Sequence, residues 1–229
     1  MKNLLAIAAF LTIGCSTVAA VEPVNVAASA CDVCVALETA KSRYVALTTT
    51  NLRTGKTSVA TAFLVGSHRA ISNFHVLAAD SVTTEKNAQG ESVAIHIVGI
   101  STQFDLIAFE SVNGEGLAPV VFADKFDVGE VGANWSNAER NDGFFRTYRI
   151  AKGEDKSKHI ALDRPTLPGE SGSGLLNLRG EAVGVIDGCA MGAEGDRLYG
   201  LAVSASVVKK FVEVNFSDKN PYDPPATEP

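Results

Sequence analysis

The most informative stretch of the sequence is Leu167-Pro168-Gly169-Glu170-Ser171-Gly172-Ser173-Gly174. In this stretch, glycines closely surround one serine, Ser171. A tight glycine turn can present a hydroxyl group outward while it directs backbone N–H groups toward one point, which is what an oxyanion hole requires. A Gly/Ser loop between two strands would have the same composition. The segment alone therefore supports a catalytic and a purely structural interpretation equally.

Two further segments favour the catalytic interpretation of Ser171. His75 lies in Ala70-Ile71-Ser72-Asn73-Phe74-His75-Val76-Leu77, after an apolar β-type run and before a predicted helical turn. Asp105 lies at the head of a predicted apolar strand in Gln103-Phe104-Asp105-Leu106-Ile107-Ala108-Phe109-Glu110. An acid that faces inward is costly to bury unless it is paired, and a histidine N–H is a suitable partner. A core histidine and a strand-edge acid remain the alternatives for each residue taken alone.

The order of these residues along the chain separates the known classes of serine hydrolase. All four histidines precede Ser171, whereas an α/β-hydrolase needs its histidine after the serine. Ser173 also occupies the place of the last glycine in the G-x-S-x-G elbow of that class. A subtilisin-type order needs the acid before the histidine, and Asp32 is a poor candidate because it lies between two cysteines. The order His75, Asp105, Ser171 is that of the two-barrel proteases.

The remaining sequence predicts an all-β protein in two blocks. Short runs rich in β-forming residues, separated by turns, make a first block that begins near Arg43 and ends near Glu110. A turn-rich connector at 113–116 leads to a second block at about 119–204, and helix-spaced apolar residues predict a helix at 205–214. The predicted strands are 44–50, 57–65, 69–72, 91–100, 103–110, 120–122, 130–135, 144–151, 159–162, 174–178, 182–187 and 197–203.

Five motifs spread over about residues 43–203 match the patterns of one family. Thr61-Ala62-Phe63-Leu64-Val65 is similar to G-[ST]-[AG]-F-x-[VI], and Ser72-Asn73-Phe74-His75-Val76 is similar to T-[NA]-x-H-V. Asp105-Leu106-Ile107-Ala108 is similar to D-[IL]-A-[VL] with one residue shifted, and residues 169–174 are similar to G-[DN]-S-G-[GS]-[PA]. The strand at 181–185 completes the set. The chain thus resembles the trypsin-like serine peptidases, in the style of bacterial HtrA-type protease domains without a PDZ domain and of glutamyl endopeptidases.

This resemblance implies a chymotrypsin-like fold of two antiparallel six-stranded β-barrels with a C-terminal helix, over residues 43–216. The first barrel is expected at about 43–112, the second at about 117–204, and the helix at 205–214. The resemblance also implies a serine endopeptidase that acts on proteins or peptides and needs no cofactor or metal. Ser171 is expected to attack the peptide carbonyl, His75 to transfer the proton, and Asp105 to orient His75. The N–H groups of Gly169 and Ser171 are expected to form the oxyanion hole.

The chain departs from the family pattern at three positions. Glu170 stands where zymogen-activated members carry an aspartate that pairs with a newly cut N-terminus, so activation of that kind is not expected. Pro165 stands where trypsin carries the aspartate that selects basic residues, and the pocket strand lacks the histidine of glutamyl endopeptidases. Asp187 lies beside the expected pocket, where it would favour a basic residue or cap a strand. The primary specificity therefore stays open.

The N-terminus carries signals for export. Residues 1–20 combine a short positive start, an apolar run at 4–14 and small residues before a cleavage point after Ala20, which predicts a secretory signal peptide. Residues 11–16 also resemble a lipoprotein signal in which Cys15 would be lipidated. We therefore expect a secreted or periplasmic protein, with an outer-membrane-anchored lipoprotein as the alternative. Residues 21–42 are predicted to be a leader, and 217–229 a disordered tail because of their prolines and acids.

Three cysteines remain for pairing in an oxidising compartment, namely Cys31, Cys34 and Cys189. We expect a structural disulfide among them, with the partners left open. A redox CxxC site would need a βαβ context, and a zinc site would need further ligands that no second Cys or His motif supplies.

Composition excludes other functional classes. The net charge is −6, and the Lys and Arg residues are scattered without a basic run, so a nucleic-acid partner is not expected. The apolar run at 4–14 is too short to span a membrane, and no other segment of the sequence is long and apolar enough to do so. Two rival functions remain: a catalytically silent trypsin-fold binding or scaffold protein of the cell envelope, and a β-barrel binding lipoprotein in which the triad is a coincidence.

Overall fold

The computed structural model describes residues 30–138 and 143–217. The predicted signal peptide, Cys15 and all of the predicted tail beyond Ser217 lie outside these residues. Within them the chain forms strands throughout its middle and one helix at each end, α1 (Ala30–Ser42) and α2 (Ala205–Asn215). Neither helix has the length and apolar character needed to cross a membrane.

The first half of the described chain forms a seven-stranded antiparallel sheet in the order β5-β4-β1-β2-β3-β7-β6. The two edge strands, β5 and β6, follow each other directly and are separated only by Ile95. Each half of this bent segment pairs with a different neighbour, β5 with β4 and β6 with β7. The strands are β1 (Tyr44–Asn51), β2 (Thr57–Gly66), β3 (Arg69–Asn73), β4 (Ser81–Lys86), β5 (Ser92–Ala94), β6 (His96–Ser101) and β7 (Leu106–Glu110).

The second half forms a closed barrel of six strands in the order β10-β13-β12-β11-β8-β9. These strands are β8 (Val131–Ser136), β9 (Phe144–Lys152), β10 (His159–Leu162), β11 (Gly174–Asn177), β12 (Ala182–Met191) and β13 (Arg197–Ser204).

The predicted all-β architecture with a C-terminal helix is therefore confirmed, and the fold is consistent with the chymotrypsin type. The prediction of two closed six-stranded barrels is correct for the second half only. The first sheet is a half-barrel. The single strand predicted at 91–100 bends at Ile95, and its two halves, β5 and β6, form the two edges of the sheet without pairing with each other.

Two strand predictions were wrong for identifiable reasons. β4 was missed because Ser81-Val82-Thr83-Thr84-Glu85-Lys86 is mostly polar, yet Thr83 and Glu85 are buried. The strand predicted at 120–122 is reduced to an isolated bridge between Phe122 and Ala182. Backbone hydrogen bonds of Val121 and Ala123 to Ala182 hold this segment beside the start of β12.

The core consists of three apolar clusters, one of which joins the two halves. One fills the half-barrel and one fills the closed barrel. The largest cluster lies between them and joins Phe63 and Leu106 of the first half to Val185, Val203 and Val208 of the second. Because burial of such side chains supplies most of the stabilising free energy, the two halves form one folding unit with a buried junction.

The segment predicted as a leader contains α1, which packs on β8 and β11 of the closed barrel and buries Ala36 and Ala40. Cys34 is exposed on this helix, and Cys189 is half-buried on β12. Both are free thiols. Every pairing among Cys31, Cys34 and Cys189 needs one of these two, so the structure does not support the disulfide that the sequence predicts.

Candidate active site

The first sheet presents His75 and Asp105 from neighbouring strand ends. His75 lies in a 3₁₀ turn (Phe74–Val76) that directly follows β3, and Asp105 directly precedes β7. These ends meet because β3 pairs with β7, with Asn73 opposite Leu106. Asp105 has a left-handed backbone (φ 53°), a conformation that aspartate tolerates better than most residues.

Backbone hydrogen bonds then fix this left-handed turn. The Asp105 carbonyl accepts hydrogen bonds from Phe74 N (3.0 Å) and from Asn73 Nδ2 (3.1 Å). The amide of His75 donates to Asp105 Oδ1 (2.8 Å).

The structure brings the side chains of His75 and Asp105, both predicted catalytic residues, into contact. His75 Nδ1 faces Asp105 Oδ2 in a short hydrogen bond, which leaves Nε2 as the free nitrogen of the ring. This bond, with the negative charges of Asp105 and Asp187, outweighs partial burial and raises the pKa of His75. Burial disfavours ionisation of Asp105, but the hydrogen bonds and the charge of His75 outweigh it and lower the pKa of Asp105. The histidine is thus oriented by an ionised carboxylate.

Ser171 lies between two consecutive glycine turns. The amide of Glu170 donates to the Leu167 carbonyl (3.1 Å), and the amide of Ser173 donates to the Glu170 carbonyl (2.9 Å). The third residues of these turns are Gly169 (φ 95°) and Gly172 (φ 87°). Such φ values are typical of type II turns and exclude most residues with a Cβ.

The positions of these glycines are also crowded. A Cβ on Gly169 would lie 2.2 Å from the Asn137 carbonyl oxygen, and one on Gly172 would lie 2.0 Å from the Thr61 carbonyl oxygen. On Gly174 it would lie 2.4 Å from the ring of Phe63. The glycines therefore let the loop approach the rest of the protein closely.

The loop is aimed by a hydroxyl from the other half of the protein. Thr61 Oγ1 donates to the Gly169 carbonyl (2.7 Å) and accepts from Asn137 N (2.9 Å). The N–H groups of Gly169 and Ser171 have no acceptor in the described part of the chain. Two free N–H groups beside a serine are what the oxyanion-hole prediction requires.

The Ser171 hydroxyl does not bond to His75 in this resting arrangement. Instead it donates to the carbonyl of Asp187 (3.1 Å). The carboxylate of the same residue lies 3.9 Å from His75 Nδ1, so Asp187 contacts two of the three predicted catalytic side chains, Ser171 and His75. Nucleophile–base hydrogen bonds are often long or unformed without substrate.

The sequence drew attention to Glu170 but did not reveal its partners. Its side chain is completely buried. Its Oε2 accepts hydrogen bonds from Tyr148 Oη and from Leu167 N, and lies 3.4 Å from Arg146 Nη1. Burial and the neighbouring carboxylate raise the pKa of Tyr148, which therefore stays a protonated donor. Glu170 thus has an internal cation as its partner, in the place where zymogen-activated relatives use an N-terminal amine.

A second histidine–carboxylate pair lies beside the first, and sequence reasoning missed it. His159 Nε2 is 2.9 Å from Asp187 Oδ2. The sequence placed Asp187 near the pocket or at a strand end, whereas its side chain points between His159 and His75. The hydrogen bond to Asp187, together with its charge, raises the pKa of His159 against the effect of partial burial.

The side chains of His75, Asp105 and Asp187 each place a nitrogen or oxygen within 4.8 Å of the others. Imidazole and carboxylate are ligands for Zn²⁺ as well as hydrogen-bonding groups. Because Nδ1 of His75 already faces Asp105, this arrangement serves first to orient the ring. No residue set for a cofactor emerged from the sequence.

Comparisons with known proteins show which family the chain belongs to. The model of the trypsin-like peptidase domain matches residues 60–185, more than half of the chain and the part that contains all three predicted triad residues. A search of curated proteins finds no match.

Solved structures give strong matches to the fold. A variant of the HtrA-type protease AlgW with a tripeptide matches with a TM-score of 0.67 at 16% identity, over 81% of this chain and 64% of that one. AlgW with a tripeptide matches with a TM-score of 0.64 at 18% identity, over 77% and 61%. A serine endoprotease from Yersinia pestis matches with a TM-score of 0.66 at 16% identity, over 80% and 66%.

The chain thus spans about 61–66% of the length of these solved chains, and at this identity the likeness concerns the fold. The family rests on the match over residues 60–185. The chain belongs to the trypsin-like peptidase family.

Proposed function

We propose that the protein is a serine endopeptidase that hydrolyses peptide bonds through His75, Asp105 and Ser171. One observation carries the proposal: an exposed histidine ring oriented by a carboxylate and a serine whose loop leaves two N–H groups free both contact the same residue, Asp187. This arrangement supplies a base, a nucleophile and an electrostatic site for the developing oxyanion.

The reaction would proceed through an acyl-enzyme. The Ser171 hydroxyl turns from the Asp187 carbonyl toward His75 Nε2 and attacks the substrate carbonyl as Nε2 takes its proton. The new oxyanion accepts hydrogen bonds from the N–H groups of Gly169 and Ser171. When the tetrahedral intermediate collapses, the C–N bond breaks and His75 gives its proton to the leaving amine. Water then repeats the sequence on the ester and restores Ser171.

Support for an endopeptidase acting on protein or peptide substrates comes from the family and from the peptide-bound AlgW structures that the fold resembles. The residues around the expected pocket, Pro165 and Asp187, give no reason to propose the specificity of trypsin. Asp187 is engaged by His159 rather than facing an open pocket. We further propose that the protein is exported, as residues 1–20 predict, with lipidation at Cys15 as the alternative.

One observation favours a second candidate, the catalytically silent binding or scaffold protein. The Ser171 hydroxyl is bonded to a main-chain carbonyl rather than to His75. A protein that never turned this hydroxyl would keep the fold and lose the chemistry.

Labelling by a fluorophosphonate probe distinguishes the two, because the probe reacts only with an activated serine. We expect the purified protein to be labelled at Ser171, as mapped by mass spectrometry, and S171A and H75A to react about 10⁴-fold or more slowly. S92A, on the exposed strand β5, serves as the matched control and should react like the wild type. A folded wild type that remains unlabelled would overturn the proposal and leave the silent protein.

A further inference from the structure

Asp187 contacts two of the three predicted catalytic side chains, Ser171 and His75, through different groups. Its carbonyl accepts the Ser171 hydroxyl (3.1 Å), and its Oδ1 lies 3.9 Å from His75 Nδ1, on the ring edge that Asp105 also faces. The Asp187 side chain is only 20% exposed. A carboxylate this close to another carboxylate and so little hydrated is costly unless it is compensated. The position of this residue therefore needs an explanation.

His159 compensates Asp187 from its other side. Its Nε2 lies 2.9 Å from Asp187 Oδ2, and its Nδ1 lies 3.0 Å from the carbonyl oxygen of Ser157. Both ring nitrogens thus face acceptors, an arrangement that favours the doubly protonated, cationic ring. The amide of His159 also donates to Asp155 Oδ1 (3.1 Å), which fixes the base of the side chain. His159 is only 18% exposed, so this pairing is sheltered from solvent.

We propose that Asp187, held by His159, is a positioning residue of the catalytic site that places and charges His75 together with Asp105. The inference rests on the proposed function, since it concerns the same serine and histidine. It adds two residues to the predicted triad: Asp187, which contacts Ser171 and His75, and His159, which pairs with Asp187.

The physical role of Asp187 follows from the charges around His75. When His75 takes the proton of Ser171 it becomes an imidazolium, and a second carboxylate near Nδ1 stabilises that cation. The groups that face His75 are Asp105 and Asp187, and those that face His159 are Asp187 and Asp155. Removing the charge of Asp187 should therefore lower the pKa of His75 and raise the barrier for proton transfer.

The test uses the full chain, three variants and one control variant. D187N removes the charge and keeps the shape. H159Q keeps an N–H donor at the place of Nε2, whereas H159A removes it. E110Q is the matched control, because Glu110 forms the same kind of pair with His96 (2.9 Å) on an exposed face of the first sheet. Thermal unfolding first establishes that each variant is folded.

Two readouts are then recorded across pH. The first is the titration of His75 by NMR of ¹⁵N-histidine protein, which needs no activity, and the second is the rate constant of fluorophosphonate labelling. For D187N we expect His75 to titrate at lower pH than in the wild type, the acidic limb of labelling to move the same way, and the plateau rate to fall about tenfold. H159A should also slow labelling about tenfold, H159Q by less than about threefold, and E110Q should match the wild type.

The outcomes separate this inference from the proposed function. A wild type that is not labelled at all overturns the proposed function, whatever the titration shows. A wild type that is labelled, with a His75 titration and plateau rate unchanged in D187N, overturns this inference alone. Equal slowing in H159Q and H159A would also overturn it, because a merely steric role of the ring would then suffice.

Discussion

Replacement of Glu170 by glutamine tests how the predicted oxyanion loop is held. The Glu170 carboxylate accepts hydrogen bonds from Tyr148 and from the amide of Leu167, and it is the partner of Arg146. A glutamine amide has nearly the same shape but carries no charge, and its NH₂ group cannot accept. The substitution therefore leaves a partly buried cation and at least one donor without a partner.

The structure sets the size of the effect. Breaking one side of a buried ion pair costs about 3–5 kcal/mol. For a domain of this size about 1 kcal/mol lowers the melting temperature by roughly 2–4 °C, so we expect E170Q to melt about 6–20 °C below the wild type. Leu167 is the first residue of the turn that aims the Gly169 N–H. Loss of one oxyanion donor should slow fluorophosphonate labelling about 10²–10³-fold at a temperature where the variant is folded.

E85Q provides the control for this experiment. Glu85 is also buried and accepts three hydrogen bonds, from Ser111 Oγ (2.6 Å), Val112 N (2.9 Å) and Asn113 Nδ2 (2.8 Å), but it lies in the first sheet away from Ser171. It should lower the melting temperature and leave the labelling rate of the folded protein unchanged. Labelling of E170Q at the wild-type rate, or equal slowing in E85Q, would refute the reasoning that the Glu170 carboxylate positions the loop.

Two other predictions follow from the same geometry. G172A should lose labelling and unfold at a much lower temperature, by differential scanning fluorimetry, because its Cβ would lie 2.0 Å from a carbonyl oxygen at a φ of 87°; a wild-type melting curve would contradict this. The pH dependence should have two signs, because the folded-state pKa values of His75 and His159 lie above the ordinary value. Labelling needs neutral His75, so its rate should rise only as the pH passes above about 6.5. The stability that both histidines contribute is fully present below about 6.5 and is lost as the pH rises through their folded-state pKa values. A melting temperature that increases over this pH range would contradict the prediction.

The candidate catalytic residues could be predicted from the sequence because each lies in a short segment with a recognisable local pattern. The glycines around Ser171, the histidine after an apolar run and the acid before the next strand each need only their own neighbours to be recognised. The open, half-barrel form of the first sheet could not be predicted from the sequence. The apolar alternation continues across Ile95, so nothing in the pattern marks the residue at which one strand changes partners.

The hydrogen-bonding and ion-pair partners of Asp187 and Glu170 could not be predicted either, because they depend on the registers between strands. His159 lies opposite Val203, and Val203 lies opposite Val185, so two successive pairings set the position of His159 relative to β12, the strand that carries Asp187, with β13 between them. Arg146 and Tyr148 alternate on β9 and share a face, and Arg146 lies opposite Asn134, which donates to Glu170 (3.3 Å). Local sequence patterns do not specify registers between distant strands.

Thr61 explains how His75 and Ser171 are held in place without a direct bond between them. Its amide donates to the Ser171 carbonyl (2.9 Å), its hydroxyl donates to the Gly169 carbonyl (2.7 Å), and its own carbonyl accepts from Ser72 Oγ (2.7 Å). Thr61 and Ser72 are both completely buried. Since Ser72 lies on the strand that leads into His75, one residue of β2 ties the histidine of the first half to the serine loop of the second. A hydroxyl at position 61 is therefore required by the loop, which gives a physical reason for its place in a motif far along the chain from Ser171.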